Sequence, residues 1–404
     1  MNDKKHFVYL GCSGFPYGLA EVKKMTLVSK GLVLAGHSVT IICERGVHQY
    51  VDHSDMKAVG SYENINYVYT SGTPFRNTNF IKRNTLKIKG IINEISFLYK
   101  LKKNKKLDYA ILSTHDFTAI VYYFTVSKLF GFKTILNHVE YFSGGKIKWP
   151  KLMEWFNNQL YDKYAPKLVN ISFPISEFLI NHLKNVSPRT QYLKIPILTE
   201  FEKYDNTQIL QEPKYFLFSG AAAYTEIVFF IIDSFAKLND YSSHLYLAIK
   251  GEKSDLQKIQ KYIDQSIQSK KIKLFSTLNE KQLYDFYKNA IALLIPLRPI
   301  IQDQARFPHK IGEYLASGNP VIATNFGEVK YYFNDKENML IAERYDKDLF
   351  AQKMRYVLDF PSEAKKIGEN GKIVALNNFD HKKYGRIITD FLNKIEQKKF
   401  TTVL

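Results

Sequence analysis

Short apolar runs alternate with longer amphipathic segments along most of the chain. Residues 7–10, 39–43 and 109–113 have the length and composition of buried strands. Residues 19–34 and 117–130 carry apolar side chains at helical spacing. Strands that alternate with helices in this way predict a parallel, doubly wound sheet of the α/β class.

The alternation continues with predicted strands at residues 168–173 and 193–197, after a loop at residues 143–145. It then lapses into the polar, charged segment 199–213 and resumes at a strand over residues 215–219. A chain of 404 residues is too long for one core. We therefore predict two Rossmann-like domains, residues 1–200 and 201–378. A C-terminal helix, residues 379–404, is predicted to cross back onto the first domain.

Composition places the chain among globular proteins of a reducing compartment. Its content of 45% hydrophobic and 24% charged residues is ordinary for a globular fold. Cys12 and Cys43 both lie in apolar runs, which indicates buried thiols rather than a disulfide framework. Each apolar run is far shorter than the roughly 20 residues that cross a bilayer. We expect a cytoplasmic protein.

The chain has a net charge of +18, and its basic residues are concentrated in residues 80–106, where apolar residues recur at helical spacing. This pattern predicts a basic amphipathic helix that binds anionic lipid headgroups at the inner face of the cell membrane. A solvated lysine-rich surface is the simpler interpretation. Nucleic acid is the less favoured partner, because the chain carries no zinc-finger, RNP or helix-turn-helix motif. The basic residues are Lys82, Arg83, Lys87, Lys89, Lys100, Lys102, Lys103, Lys105 and Lys106.

Residues 306–328, RFPHKIGEYLASGNPVIATNFGE, form the most informative stretch. A loop at residues 296–304 leads into a helix, for which Pro308 suits the first position and Gly318 the left-handed C-terminus. Lys310 and Glu313 share one face near the positive end of that helix. A cation beside free N–H groups suits phosphate, and a carboxylate one turn on suits sugar hydroxyls. The same spacing also fits a surface ion pair.

Polar residues follow the predicted strands of the first domain as well. His115 and His138 come directly after two of these strands, and a loop from Gly11 to Gly18 follows the first. Ligands of doubly wound sheets bind at these carboxyl ends. The glycine spacing does not fit G-x-G-x-x-G, so a nicotinamide dinucleotide is not expected. If the two domains face one another, these residues and residues 306–328 line one cleft.

The block PHKIGEYLASGNPVIATNFGE resembles the P-x-K-x-x-E-Y-x-A-x-G-x-P-V-I-A block of retaining glycosyltransferase family 4 (GT4). Weaker similarities, such as AGHSVTII and TILNH, extend over nearly the whole length. The resemblance implies a GT-B fold with two Rossmann-like domains around a central cleft. It implies transfer of a hexose-type sugar from a nucleotide-diphosphate sugar to a saccharide or lipid-linked acceptor. The expected pathway is cell-surface polysaccharide or glycoconjugate synthesis, with retention.

The resemblance also implies residue roles. Glu313 matches the glutamate that binds the ribose of the donor, and Lys310 and Arg306 lie where the block approaches the diphosphate. His138 matches the strand-end histidine that faces the donor sugar, so His138, Lys310 and Arg306 are the expected catalytic residues. Further donor-binding residues are Gly18, Gly220, Gly327 and Glu328. The candidates on the acceptor side are His115, Asp116, Glu140 and Tyr141.

The chain departs from the family pattern at two places. A second glutamate that the family often has is replaced by Ala305, and Asp303 lies close to it but out of register. The usual basic residues after the first strand of the second domain are missing from residues 220–224, so Arg306, Lys310 and Arg298 are expected to meet the diphosphate charge. No Asp-x-Asp pair follows a strand, so no cofactor or obligatory metal is expected. The alternatives are a GT-B-shaped sugar-nucleotide epimerase and a non-catalytic membrane-surface scaffold.

Overall fold

The computed structural model describes residues 4–18, 20–50, 54–144, 151–205, 208, 213–240 and 242–401. Contacts divide the chain into unit 1, Met1–Leu198 with His381–Leu404, and unit 2, Thr199–Asp380. Each unit is a mainly parallel sheet flanked by helices, as predicted for Rossmann-like domains. Leu19 and Gly145, which were predicted to start a helix and to end a loop, lie outside the described residues.

The sheet of unit 1 has the strand order β3-β4-β2-β1-β5-β6-β7-β8. All of its pairings are parallel except that of β3 with β4. The strands are β1 (His6–Cys12), β2 (Ser38–Cys43), β3 (Val59–Tyr62), β4 (Ile65–Tyr69), β5 (Tyr109–Leu112), β6 (Lys133–His138), β7 (Ile171–Pro174) and β8 (Gln191–Tyr192). The chain order reverses between β1 and β5, so the topological switch point of this sheet lies there.

The described residues of unit 1 form six α-helices. They are α1 (Ala20–Leu34), α2 (Phe80–Lys103), α3 (Phe117–Phe130), α4 (Leu152–Leu168), α5 (Glu177–Val186) and, at the C-terminus, α14 (His381–Thr401). Helix α14 packs closely on α1 because two glycines meet, and a Cβ on Gly385 would lie 1.8 Å from the Gly31 carbonyl oxygen. Glu396 of α14 also accepts hydrogen bonds from Lys5 and Tyr109. Although burial opposes ionisation, these bonds and Lys133 lower the pKa of Glu396 to about 2.

The sheet of unit 2 has the parallel order β11-β10-β9-β12-β13-β14. Its strands are β9 (Tyr215–Ala221), β10 (His244–Lys250), β11 (Ile272–Phe275), β12 (Ala292–Ile295), β13 (Val321–Thr324) and β14 (Leu340–Ala342). Its helices are α6 (Thr225–Ala236), α7 (Lys253–Asp264), α8 (Glu280–Asn289), α9 (Ile301–Ala305), α10 (His309–Ala316), α11 (Val329–Tyr332), α12 (Lys347–Asp359) and α13 (Pro361–Phe379). The switch point lies between β9 and β12, and β13 adjoins β12.

The sequence-based boundaries were wrong in two parts of unit 1. In place of the strand predicted at residues 193–197, the structure has the two-residue strand β8, Gln191–Tyr192, which directly precedes that segment. Leu193 and Ile195 still donate to β7, but Pro196 has no N–H to continue the ladder. Helix α4 was not predicted. Its last residue, Leu168, was predicted to begin the strand at residues 168–173, but that strand begins at Ile171. Pro166 inside α4 disguises the helical pattern.

Two details of the 296–316 segment also differ from prediction. Residues 301–305, predicted as part of a loop, form the short helix α9. Pro308 is the N-cap of α10 rather than its first helical residue, with extended backbone angles. Gly318 has the predicted left-handed backbone, with a φ angle of 74°, and Gly327, in the turn after β13, has a φ angle of 59°.

Candidate functional site

The carboxyl ends of β9, β12 and β13 lie side by side in unit 2 and bring the loops of the candidate donor site together. Helix α10 is tied to this edge, because the Tyr314 hydroxyl accepts a 2.8 Å hydrogen bond from the backbone N–H of Ser219. The Thr324 hydroxyl lies 2.8 Å from the Leu297 nitrogen and links β13 to the loop after β12. Gly220, at the end of β9, lies on the same edge. The site therefore stands on strand ends rather than on long loops.

Lys310 and Glu313 of α10 are an ion pair, with 2.9 Å between Nζ and Oε2. It is not a solvated surface pair, because the side chain of Glu313 is only 8% exposed. Tyr287 of α8 lies beside it and its hydroxyl is 2.7 Å from Lys310 Nζ and 3.2 Å from Glu313 Oε2. This buried triangle fixes the ammonium and the carboxylate at the first turns of α10. The helix positions both groups as the sequence spacing predicted.

Asp303 joins the two arginines of the segment. Its carboxylate is fully buried and accepts from the Arg298 backbone N–H at 2.9 Å, from Arg298 Nε at 3.0 Å and from Arg298 Nη2 at 3.1 Å. Arg306 Nη2 donates to the same carboxylate at 2.5 Å. These hydrogen bonds with Asp303 raise the pKa of Arg298 above its usual value. The α9 turn makes this possible, because it brings Asp303 back over both guanidinium groups.

Tyr224, three residues beyond the end of β9, contacts both arginines. Arg306 Nη1 donates to its hydroxyl at 3.0 Å, and the Arg306 and Arg298 guanidinium carbons lie 5.1 and 5.9 Å from its ring centroid. Arg298 also reaches Glu226, at 3.4 Å. Two cations from the segment after β12 thus lie beside residues 220–224, which carry no basic side chain. Ala305 is fully buried, and the Asp303 carboxylate accepts hydrogen bonds from both arginines.

The turn that follows β13 completes this edge. A Cβ on Gly327 would lie 2.8 Å from the carbonyl oxygen of Asp303, so the turn packs directly on α9 and requires glycine. Glu328 is buried and occupies the N-cap position of α11. Gly327 therefore lies directly against the helix that carries Asp303.

In unit 1, the glycine loop follows β1 at the switch point. Gly11 and Gly14 have φ angles of 72° and 81°, and Gly18 lies so close to Val22 that a Cβ would come within 2.4 Å. The loop leads into α1, where Glu21 accepts from the Ser113 hydroxyl at 3.0 Å, and Ser113 accepts from Asn137 at 3.1 Å. Burial raises the pKa of Glu21.

His138, at the end of β6, is fully buried. Neither of its ring nitrogens has a hydrogen-bond partner among the described residues. Burial, with His182 and Lys24 nearby, lowers the pKa of His138 to about 3, so the ring is neutral near pH 7. A neutral imidazole offers one donor and one acceptor to a bound group.

Lys24 was not singled out in the sequence. Its side chain is buried on α1, where Nζ lies 3.4 Å from the carbonyl oxygen of Ile195. Burial lowers the pKa of Lys24 to about 7. The available signal was its position between Val22, Met25 and Val28, which marks the buried stripe of α1.

The acceptor-side candidates lie at the neighbouring ends of β5 and β6. Asp116 is exposed and acts as the N-cap of α3, since its side chain accepts from the Thr118 backbone N–H at 2.9 Å. His115 is also exposed and its ring lies 5.4 Å from that of Phe142. Glu140 and Tyr141 are partly buried. The Tyr141 ring contacts that of His182, which itself lies 6.3 Å from the His138 ring.

Two further searches covered the described part of the chain. It contains no cluster of three or more His, Cys, Asp or Glu side chains with the geometry of a metal site. Among the same residues, no helix combines the length and the apolarity needed to span a membrane.

Residues 200–374, which include the candidate donor-site residues of unit 2, match the model of the family described as glycosyl transferases, group 1. A search of curated protein sequences finds no significant match.

Solved structures resemble the chain over nearly its full length. Sucrose-phosphate synthase from Thermosynechococcus elongatus has a TM-score of 0.76 at 12% identity, covering 98% of this chain and all of that one. A glycosyltransferase from Rickettsia africae has a TM-score of 0.70 at 17% identity, covering 97% and 99%. Anabaena HepE, in complex with UDP and glucose, has a TM-score of 0.71 at 12% identity, covering 96% and 99%. These likenesses confirm the predicted GT-B fold.

Proposed function

We propose that the chain is a retaining, GT4-type glycosyltransferase that moves a hexose-type sugar from a nucleotide-diphosphate sugar to a saccharide or lipid-linked acceptor. The family match over residues 200–374 supports the glycosyltransferase class. The observation that carries the donor assignment is the convergence of Arg298 and Arg306 on Asp303 after β12, beside the switch point of the unit 2 sheet, with Lys310 in the first turn of the helix that follows. The proposed pathway is synthesis of a cell-surface polysaccharide or glycoconjugate.

The donor's diphosphate is the natural ligand of these cations. Guanidinium groups offer paired N–H donors in the geometry of phosphate oxygens, and Lys310 adds a point charge at the start of α10. Glu313, fixed beside Lys310 and Tyr287, is the proposed acceptor of hydrogen bonds from the ribose hydroxyls. Gly220, Gly327 and Glu328 surround the same edge. Gly18, in the glycine loop of unit 1, is the remaining proposed donor contact.

Catalysis then consists mainly of stabilising the diphosphate as it leaves. Preorganised cations achieve this without reorganisation at the moment of reaction, and losing one such donor typically costs 10²–10³-fold in rate. His138 is neutral near pH 7. It is therefore proposed to orient the donor sugar by hydrogen bonding. In a retaining transfer, the leaving phosphate itself takes the proton of the acceptor hydroxyl. His115, Asp116, Glu140 and Tyr141 are proposed on the acceptor side.

No cofactor or obligatory metal is part of this proposal, because the positive charges of Arg298, Arg306 and Lys310 are proposed to offset the negative charge of the diphosphate. Transfer should therefore persist when a chelator removes divalent cations. A loss of transfer that added Mg²⁺ or Mn²⁺ restores would contradict this point.

Calorimetric titration with nucleoside diphosphates tests the donor assignment directly. UDP is the first to use, because Anabaena HepE contains it. We expect UDP, GDP or ADP to bind, and the corresponding nucleoside without phosphate to bind at least tenfold more weakly. Absence of heat with all three diphosphates would favour the non-catalytic scaffold. A sugar nucleotide that is converted without any acceptor would favour the epimerase.

The proposed location is the cytoplasm, with peripheral contact at the inner face of the cell membrane through residues 80–106. Helix α2 forms most of this segment, and its lysines at positions 82, 87, 89, 100 and 103 are exposed. A lipid-linked acceptor would be reached most directly from such a surface.

A further inference from the structure

The outer face of α2 is apolar in a way that packing within unit 1 does not explain. Ile88 and Ile92 are each 61% exposed, and Ile81, Ile95 and Tyr99 are exposed on the same side. These positions follow helical spacing and form one stripe. The buried residues of α2, Gly90, Glu94 and Leu98, follow the same spacing on the opposite side.

The inner stripe explains how α2 is fixed with its apolar stripe outward. A Cβ on Gly90 would lie 2.1 Å from the Glu44 carbonyl oxygen, so the helix sits directly on the chain after β2. Glu94 accepts from the hydroxyls of Tyr122 and Tyr123 at 3.2 and 3.4 Å. Rotating α2 to bury the isoleucines would break both contacts.

The next two helices extend the apolar surface. Helix α3 packs against both α2 and α4. It exposes Val121 and Leu129, and α4 exposes Met153, Phe156, Leu160 and Tyr164. The four residues of α4 again follow helical spacing, so they too form one stripe. Clustering of this kind marks an interaction surface, whereas single exposed apolar residues do not.

The exposed charge of α2 has one sign, whereas α4 also exposes Glu154, which is paired with Lys151. Helix α2 carries seven basic residues, and its single acidic residue is Glu94. Burial raises the pKa of Glu94 to about 8, so it adds no negative charge near pH 7. Lys82, Lys89 and Lys100 lie along one edge of the apolar stripe. On α4, Lys163 and Lys167 both lie 5.2 Å from the Tyr164 ring.

We propose that the outer faces of α2, α3 and α4, named here the three-helix face, bind the interface of an anionic lipid bilayer. Apolar side chains bordered by lysines match the acyl boundary and the headgroups of such a membrane. Nucleic acid fits less well, because most of the exposed apolar side chains named on this face are aliphatic and offer no flat ring for a base to stack on. The inference adds α3 and α4 to the contact and does not depend on the proposed sugar transfer.

Co-sedimentation of the intact chain with phosphatidylglycerol–phosphatidylcholine vesicles tests the inference, with pure phosphatidylcholine vesicles as reference. We expect at least tenfold stronger partitioning to the anionic vesicles at low salt, weakened severalfold at 0.5 M salt. Ile88→Ser with Ile92→Ser should lower partitioning at least fivefold. The same loss is expected for Met153→Ser with Phe156→Ser, because α4 contributes its own stripe. Lys82→Glu with Lys89→Glu should remove the preference for anionic lipid.

Ile267→Ser is the matched control, because Ile267 is 82% exposed and belongs to unit 2 rather than to the three-helix face. Circular dichroism and unchanged thermal unfolding show that each variant is folded. Equal partitioning to both vesicle types, or equal losses in the Ile267→Ser control, would overturn the proposal. A dimer that the isoleucine variants dissociate, without vesicle binding, would instead assign the face to a second copy. RNA binding without vesicle binding would assign it to nucleic acid.

Discussion

The two sheets carry charge at their carboxyl edges in opposite ways. In unit 2, Asp303 is fully buried yet bonded to Arg298 and Arg306, and the pKa of Arg298 is raised. In unit 1, Lys24 and His138 are buried without such a partner, and burial lowers their pKa values to about 7 and about 3. Two similar folds have therefore produced one edge rich in paired charge and one that favours neutral groups.

The difference follows from desolvation. A low-dielectric environment disfavours a charged group unless an opposite charge or hydrogen bonds compensate for the lost water. The arginine–aspartate cluster has that compensation and keeps cations available for an anionic ligand such as a diphosphate. The Lys24–His138 region lacks it and is better suited to neutral hydroxyl groups. This contrast agrees with the proposed donor role of unit 2 and acceptor role of unit 1.

The largest expected effect comes from breaking the paired charge of unit 2. Asp303→Asn leaves two guanidinium groups without their buried carboxylate, and removing one partner of a buried pair costs about 3–5 kcal/mol. We expect the free energy of unfolding to fall by that amount in chemical denaturation. Any diphosphate binding should weaken as well, because Arg306 loses its fixed orientation.

Glu226→Gln is the control for Asp303→Asn. Glu226 bonds to the same Arg298, but its side chain is 80% exposed. Exposed pairs contribute only about 0–1 kcal/mol. If both variants lost equal stability, burial of the Asp303 pair would not be the source of its strength.

The second effect concerns transfer itself. Glu313→Ala and Lys310→Ala should each lower the rate of sugar transfer about 100-fold, or about 2.7 kcal/mol, because each removes a fixed contact to the nucleotide. Transfer is assayed with the sugar nucleotide that calorimetry identifies. Glu313→Gln keeps the volume and a hydrogen-bond acceptor for Tyr287, so it should retain more activity. Full activity in folded Glu313→Ala and Lys310→Ala proteins would contradict the donor assignment.

A smaller effect is expected in unit 1 when its buried lysine is removed. Because the folded pKa of Lys24, about 7, lies below its usual 10.5, the unfolded chain binds more protons between these pH values, and stability rises with pH across that window. Lys24→Met should flatten this rise and stabilise the fold at pH 7. Lys23→Met, on the same helix, is the control. An unchanged slope would contradict a lowered pKa for Lys24.

The smallest effect comes from His138. Its folded pKa of about 3 lies below the usual 6.5, so the unfolded chain takes up a proton first as pH falls below 6.5. This group should therefore cost about 1 kcal/mol of stability between pH 7 and pH 5.5. His138→Phe should remove that loss in thermal unfolding measured over this pH range, whereas His115→Phe, at an exposed residue, should not. Equal slopes in wild type and His138→Phe would contradict a buried neutral ring.

The sequence alone determined the α/β class, and it placed Lys310 and Glu313 on one face of α10. These properties depend on local periodicity and on turns that contain glycine, such as Gly318 and Gly327, and a few neighbouring residues define both. The GT-B fold was predicted from the resemblance of residues 308–328 to a known family. The concentration of basic residues in α2 was equally visible, since most lysines of residues 80–106 are close to one another in the sequence.

Only the tertiary structure decided which of these residues are buried and what they contact. In the sequence, Asp303 looked like a sugar ligand out of register, but the α9 turn places it between two arginines. The same arginines contact Tyr224, which is distant from them in the sequence. The pKa values of Lys24 and His138 are lowered because α1 and β6 place these side chains in the interior. Pairing and desolvation depend on distances between residues far apart in sequence, and a one-dimensional pattern does not contain those distances.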